Sequence, residues 1–212
     1  MNVLTAIDVR VWQAVVAGAF VAAGWLVNGW QNRRDAAALR AEKLRDYHRA
    51  IFAEIGATLA NLWGDENLRS TADGIISQMR GDPEFVPFIP REHGDYVFNA
   101  LVGDIHILPR RTIDPIVAYY SQIKAIAALA DDMRGHAFRE MSQTRRIAMY
   151  SDYVEMKEQL VQYGLFATKK IAAFAEGGNA AADKVKAPSN VAAPKRVSTP
   201  DAGPSGPSQG SA

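Results

Sequence analysis

Residues 11–32 read VWQAVVAGAFVAAGWLVNGWQN, a run of 22 residues between Arg10 and Arg33 that carries no charge. From Val11 to Val27 the one strongly polar side chain is Gln13, and no proline interrupts the run. A helix rises about 1.5 Å per residue and a bilayer's hydrocarbon core is about 30 Å thick, so some 20 apolar residues suffice to cross it. Trp12 stands at one end, with Trp25 and Trp30 at the other. Trp12 and Trp30 lie roughly 27 Å apart along a helix, a separation that suits the two interfacial belts where tryptophan collects. The stretch therefore predicts a transmembrane helix over 11–30, preceded by a short N-terminal tail, 1–10. Five of its residues are alanine (Ala14, Ala17, Ala19, Ala22 and Ala23), which keeps its hydrophobicity moderate. A cleaved secretory signal fits less well, because the positive charges mostly follow the apolar run instead of preceding it.

The flanks set the expected orientation. Arg10 precedes the run, opposed by Asp8, whereas Arg33, Arg34, Arg40, Lys43, Arg45 and Arg49 follow it. Positive residues resist translocation, so the bulk of the chain is expected in the cytoplasm, anchored in a bacterial inner membrane. Ala14, Gly18 and Ala22 recur every four residues, a spacing that lets two helix backbones approach. They form a candidate face for association of two copies.

Working outward, 31–176 reads as an antiparallel helical bundle, so the expected class is all-α. Tyr47, Ile51, Ile55, Leu59 and Leu62 recur at helical spacing, with Leu44, His48 and Phe52 alongside; nothing before Asp35 forces a break from the apolar run. A short helix is expected near 71–80. Pro83, Pro87 and Pro90 then exclude a helix interior, giving a Pro/Phe loop near 81–92 whose Phe85 and Phe88 are expected to cover the bundle. Asp95 to Leu108 reads as one helix, closed by Pro109. A further helix is expected over Thr112–Met133, with Ile113, Ile116, Val117, Tyr120, Ile123 and Ala127 inward. The longest is expected over Phe138–Phe174, with two apolar stripes: Met149, Tyr153, Met156, Leu160, Tyr163 and Ala167, and Ile147, Tyr150, Val154, Val161, Leu165 and Ile171. Two adjoining stripes favour a bundle centre over the narrower seam of a coiled coil. Helices over 31–63 and 138–174 would be roughly 50 and 55 Å long. Packed antiparallel, they would bring Lys169 and Lys170 level with Arg33 and Arg34, a basic collar against anionic head groups.

After Glu176 the residues are mainly Ala, Pro, Ser, Gly and Lys, with no aromatic. A segment with so little to bury is expected to be a disordered tail, 177–212.

The composition narrows function further. In 212 residues, 24 Lys plus Arg face 23 Asp plus Glu, so no global basic field draws nucleic acid, and no nucleic-acid partner is expected. The absence of cysteine excludes disulfides, thiolate metal sites and a cysteine nucleophile. Glycine-rich phosphate loops, His-Glu-x-x-His and EF-hand patterns do not occur. Gly206-Pro207-Ser208-Gln209-Gly210 matches a nucleophile elbow in letters but lacks the flanking strand and helix. His48, His93, His106 and His136 read as structural or surface residues. Glu54, beside the apolar face of its helix, reads first as a flanking residue reaching solvent; it is also the best candidate for a buried carboxylate, paired in that case with Arg145 or Arg146. No catalytic residue, metal site or cofactor is expected. The leading reading is a membrane-anchored helical scaffold or interaction module, with the lipid bilayer and another protein as partners and a homo-oligomer as one form. Two alternatives stand beside it: an inverted envelope protein with extracytoplasmic helices, and a helical enzyme with an unrecognised carboxylate–histidine site.

Overall fold

The computed structural model describes residues 9–64, 68–91 and 94–188. Among them the structure is helical: α1 (Val9–Gly64), α2 (Leu68–Gly81), α3 (Tyr96–Leu101), a 3-10 helix (Val102–Ile107), α4 (Arg110–Arg134), α5 (His136–Glu140) and α6 (Gln143–Lys184). The all-α bundle is therefore present. The expected N-terminal tail and residues 189–212 lie outside the described residues, apart from the helical Val9 and Arg10.

No proline occurs before Pro83, and α1 runs unbroken for 56 residues, about 84 Å. The bundle packs on only its second half. His48, Ile51, Ile55 and Leu59 are buried, whereas Phe52 stays exposed. Side-chain pairs set the register. The Phe174 ring lies 5.2 Å from the His48 ring. At Gly164 a Cβ would come within 2.9 Å of Leu59 Cδ2. Thus α6 runs antiparallel to α1. Arg69 pairs with Glu158 at 2.9 Å, and Gln143 donates to the Met79 carbonyl at 2.7 Å, so α2 continues along α6 in the direction set by α1.

Helix α4 returns parallel to α1. Its Thr112 meets His48 and its Tyr120 meets Glu54. It begins at Arg110, earlier than the expected Thr112, so Pro115 lies inside the helix rather than in its first turn and cannot supply the N–H that would bond to the Arg111 carbonyl. Its inward face is also rotated from the expected one. Tyr119 and Ile126 are buried with Ile116, Tyr120 and Ile123, while Val117 is exposed. On α6 both expected stripes reach the core, through Tyr150, Tyr153, Val154, Leu160, Ala167 and Ile171.

Three further boundaries differ from expectation. The single helix over 95–108 is a short α-helix, α3, followed by a 3-10 segment, and the Asp95 side chain makes no cap hydrogen bond. The longest helix divides at Met141–Ser142, where Ser142 accepts from the Arg145 N–H and starts α6 afresh. The tail does not begin at Gly177. After non-helical Gly177 and Gly178 the chain re-forms helix to Lys184.

The Pro/Phe loop does cover the bundle, but with selected residues. Ile89 is buried and Phe85 and Val86 pack on the core, while Phe88 is 87% exposed. Arg134 holds the loop through the Pro90 carbonyl at 2.9 Å, and Arg146 through the Pro83 carbonyl.

The register also corrects the basic collar. With Phe174 beside His48, Lys170 sits near the level of Phe52, about 27 Å along α1 from Arg34. Lys169 and Lys170 therefore do not join Arg33 and Arg34 in one band.

Candidate functional site: the uncovered half of the first helix

From Trp12 to Lys43 no described side chain on α1 is buried. Several large apolar groups are wide open: Phe20 is 75% exposed, Trp25 80%, Leu26 75% and Trp30 62%. Single exposed apolar residues are ordinary. Here they form a contiguous run, without charge and uncovered by the other described residues, a feature uncommon on protein surfaces. Gly18 and Ala22 lie on this open helix, and a Cβ at Gly18 would meet nothing within 4 Å. The side chain of Ala14 lies outside the described residues.

By hydropathy, no helix among the described residues is long and apolar enough to cross a membrane.

Beyond the apolar run the helix becomes basic. Arg33 and Arg34 are exposed, and the Arg34 guanidinium lies over the Trp30 ring at 5.6 Å, so a cation and an aromatic ring share one level. Arg40 Nε donates to the Ala36 carbonyl at 3.1 Å. Burial begins at Leu44, where Lys43 and Tyr47 reach across to the 3-10 helix. Asp104 Oδ2 accepts from the Tyr47 hydroxyl at 2.6 Å and from Lys43 Nζ at 2.9 Å. These two bonds hold the Asp104 carboxyl below its ordinary range and, through Asp104, hold Lys43 above its own.

The bundle's polar interior was open to chemistry, so its geometry matters. Glu54 does not pair with Arg145 or Arg146. Its Oε1 accepts the Val97 N–H at 2.7 Å, and its Oε2 accepts the Phe98 N–H at 3.1 Å and the Tyr120 hydroxyl at 2.6 Å. One carboxylate thus caps α3 from α1 and fastens both to α4. Phe98 stacks on Tyr120 at 4.0 Å, shielding the contact. Burial, then the bond to Glu54, drives the Tyr120 phenol far above its ordinary value. With three donors already bound, Glu54 acts as a structural staple rather than a free base.

His48 is equally committed. The Thr112 hydroxyl gives its one proton to the Pro109 carbonyl at 3.1 Å, so at 2.9 Å it accepts from His48 Nε2. Burial lowers the His48 pKa to about 4, keeping the ring neutral near pH 7. His106 and His136 do not cluster with these groups; among the described residues no three His, Asp or Glu side chains could hold a metal ion. His93 lies outside the described residues.

Sequence reasoning located the exposed helix but missed the partners of Glu54 and His48. Their donors, Tyr120 and the backbone of 97–98 in one case and Thr112 in the other, lie 43 to 66 residues away. No local spacing encodes such pairs. No protein-family model, curated protein or solved structure matches this chain.

Proposed function

We propose that this chain is a single-pass, membrane-anchored scaffold or interaction module, with Trp12–Trp30 in the bilayer and the bundle on the cytoplasmic face. The observation that carries this reading is the charge-free apolar half of α1, left uncovered by every other described part of the chain. The tryptophans near its ends and the arginines that follow support it, since both are characteristic of a membrane interface. Arg33 and Arg34 are the residues assigned to the anionic head groups. The interior polar groups are engaged in holding helices together, which favours surfaces over chemistry as the seat of function.

The test is retention in membranes at alkaline pH, combined with a topology reporter fused after Ala212. Wild-type chain should stay in the membrane pellet, and a reporter active only in the cytoplasm should work. Phe20→Arg places a charge near the centre of the apolar run, costing roughly 2.5–3.5 kcal/mol of insertion, and should weaken retention. Release of the wild-type chain at alkaline pH would contradict the anchor. Activity of a periplasm-dependent reporter instead would support the inverted envelope topology.

A further inference from the structure

Near its end α6 bends at Gly177 (φ −144°, ψ 22°) and Gly178 (φ 62°, ψ −151°), then resumes as a last helical turn to Lys184. This turn is fastened to the end of the bundle. Ala182 is fully buried, and its carbonyl accepts from Lys170 Nζ at 2.6 Å. Asp183 Oδ1 pairs with Arg111 Nε at 2.9 Å, tying the turn to the start of α4. Each glycine is required by the bend for a different reason. At Gly177 a Cβ would stand 2.8 Å from the Ala181 Cβ. At Gly178 the backbone occupies a region essentially closed to other residues.

The same sequence also suits a straight course. The register that pairs Phe174 with His48, continued as helix, would set Gly178 opposite Leu44, Ala181 opposite Ala41 and Val185 opposite Ala37. These are small or apolar residues at helical spacing, and Ala37 and Ala41 are exposed in the bent form. Both seats therefore offer burial to the same segment, one on α4 and one on α1.

We propose that Gly177-Gly178 is a two-position hinge: residues 179–185 clasp the start of α4 in the bent form and lie along α1 in the straight form. In the clasped form the chain leaves the bundle beside Arg111. In the straight form it would leave along the exposed basic segment of α1. This device does not depend on the membrane reading, because both seats lie on the helical segments themselves.

The chain has no cysteine, so introduced thiols report cleanly. Ala182→Cys reads the clasp by its rate of labelling, and an Ala37→Cys/Val185→Cys pair reads the straight form by disulfide formation. Both are measured in the full chain, in detergent, with and without Gly177→Ala/Gly178→Ala. Each glycine-to-alanine change favours helix about five-fold, before the strain it adds to the bend. The expected result is slow Ala182→Cys labelling with the glycines present. With the alanines, labelling should speed up at least about 25-fold in the limit where opening controls it, and the 37–185 disulfide should appear. Circular dichroism and the melting transition confirm that the bundle persists in each variant. Unchanged labelling in the alanine variant would overturn the glycine hinge. Fast labelling without the disulfide would overturn the second seat, and fast labelling with the glycines present would overturn the clasp.

Discussion

The Tyr120 hydroxyl donates to Glu54 Oε2 at 2.6 Å, joining α1 to α4 through a carboxylate that also caps α3. Three helices, one of them distant in the chain from the other two, meet at one side chain. Glu54→Ala leaves two backbone N–H groups and a phenol without their acceptor, and should lower unfolding free energy by about 2–4 kcal/mol. Tyr120→Phe removes one donor and keeps the stacking on Phe98, so about 1–2 kcal/mol is expected. Denaturant unfolding of both variants tests the ranking. Equal, negligible losses would contradict the staple.

Gly164 tests the helix crossing. A Cβ there would lie 2.9 Å from Leu59 Cδ2 and 3.1 Å from Tyr119 Cε2. Alanine is the better helix former, yet Gly164→Ala should destabilise the bundle by about 1–3 kcal/mol, because overpacking outweighs propensity. A rise in the melting temperature would mean that α6 packs more loosely on α1 and α4.

The Tyr119 hydroxyl is buried beside Thr58, whose own proton goes to the Glu54 carbonyl at 3.1 Å, and it makes no well-formed hydrogen bond. Burial pushes this phenol up to about 12. Tyr119→Phe removes an unsatisfied polar atom while keeping the ring, so stability should be unchanged or higher by up to about 1 kcal/mol. A clear loss in a denaturant titration would show that the hydroxyl has a partner.

His48 gives the bundle a pH dependence whose sign follows from its environment. Its pKa falls from 6.5 to about 4 on folding, so between these values the unfolded chain binds the extra proton. The His48 contribution is fully present above about pH 6.5 and is lost as pH falls toward 4. Urea midpoints at pH 7 and pH 5 should differ more for wild type than for His48→Gln. Identical differences would place the titrating group elsewhere.

Periodicity made the main helices legible, because burial on one face repeats every three to four residues: Ile51, Ile55 and Leu59, and the double stripe of α6, read directly. It does not fix rotation closely: Val117, expected inward, is exposed, while Tyr119 joins the expected Tyr120 in the core. Glycine and proline spoke only locally. Gly177-Gly178 broke the helix as read, but whether the chain resumes depends on Lys170 and Arg111, residues that no nearby pattern connects to it. The level of Lys170 along α1 likewise depended on which residues meet, and the His48–Phe174 contact determines it.

The central claim is a division of labour within α1, one half for an external apolar medium and the other for a self-sufficient bundle. Its most direct test is deletion of residues 1–30 and comparison with the full chain, in cell fractions and by circular dichroism in detergent-free buffer. The account predicts full chain in the alkali-resistant membrane fraction, and a shortened chain that is soluble, helical and cooperatively unfolded by heat. A shortened chain that is unfolded, or that still sediments with membranes, would contradict it.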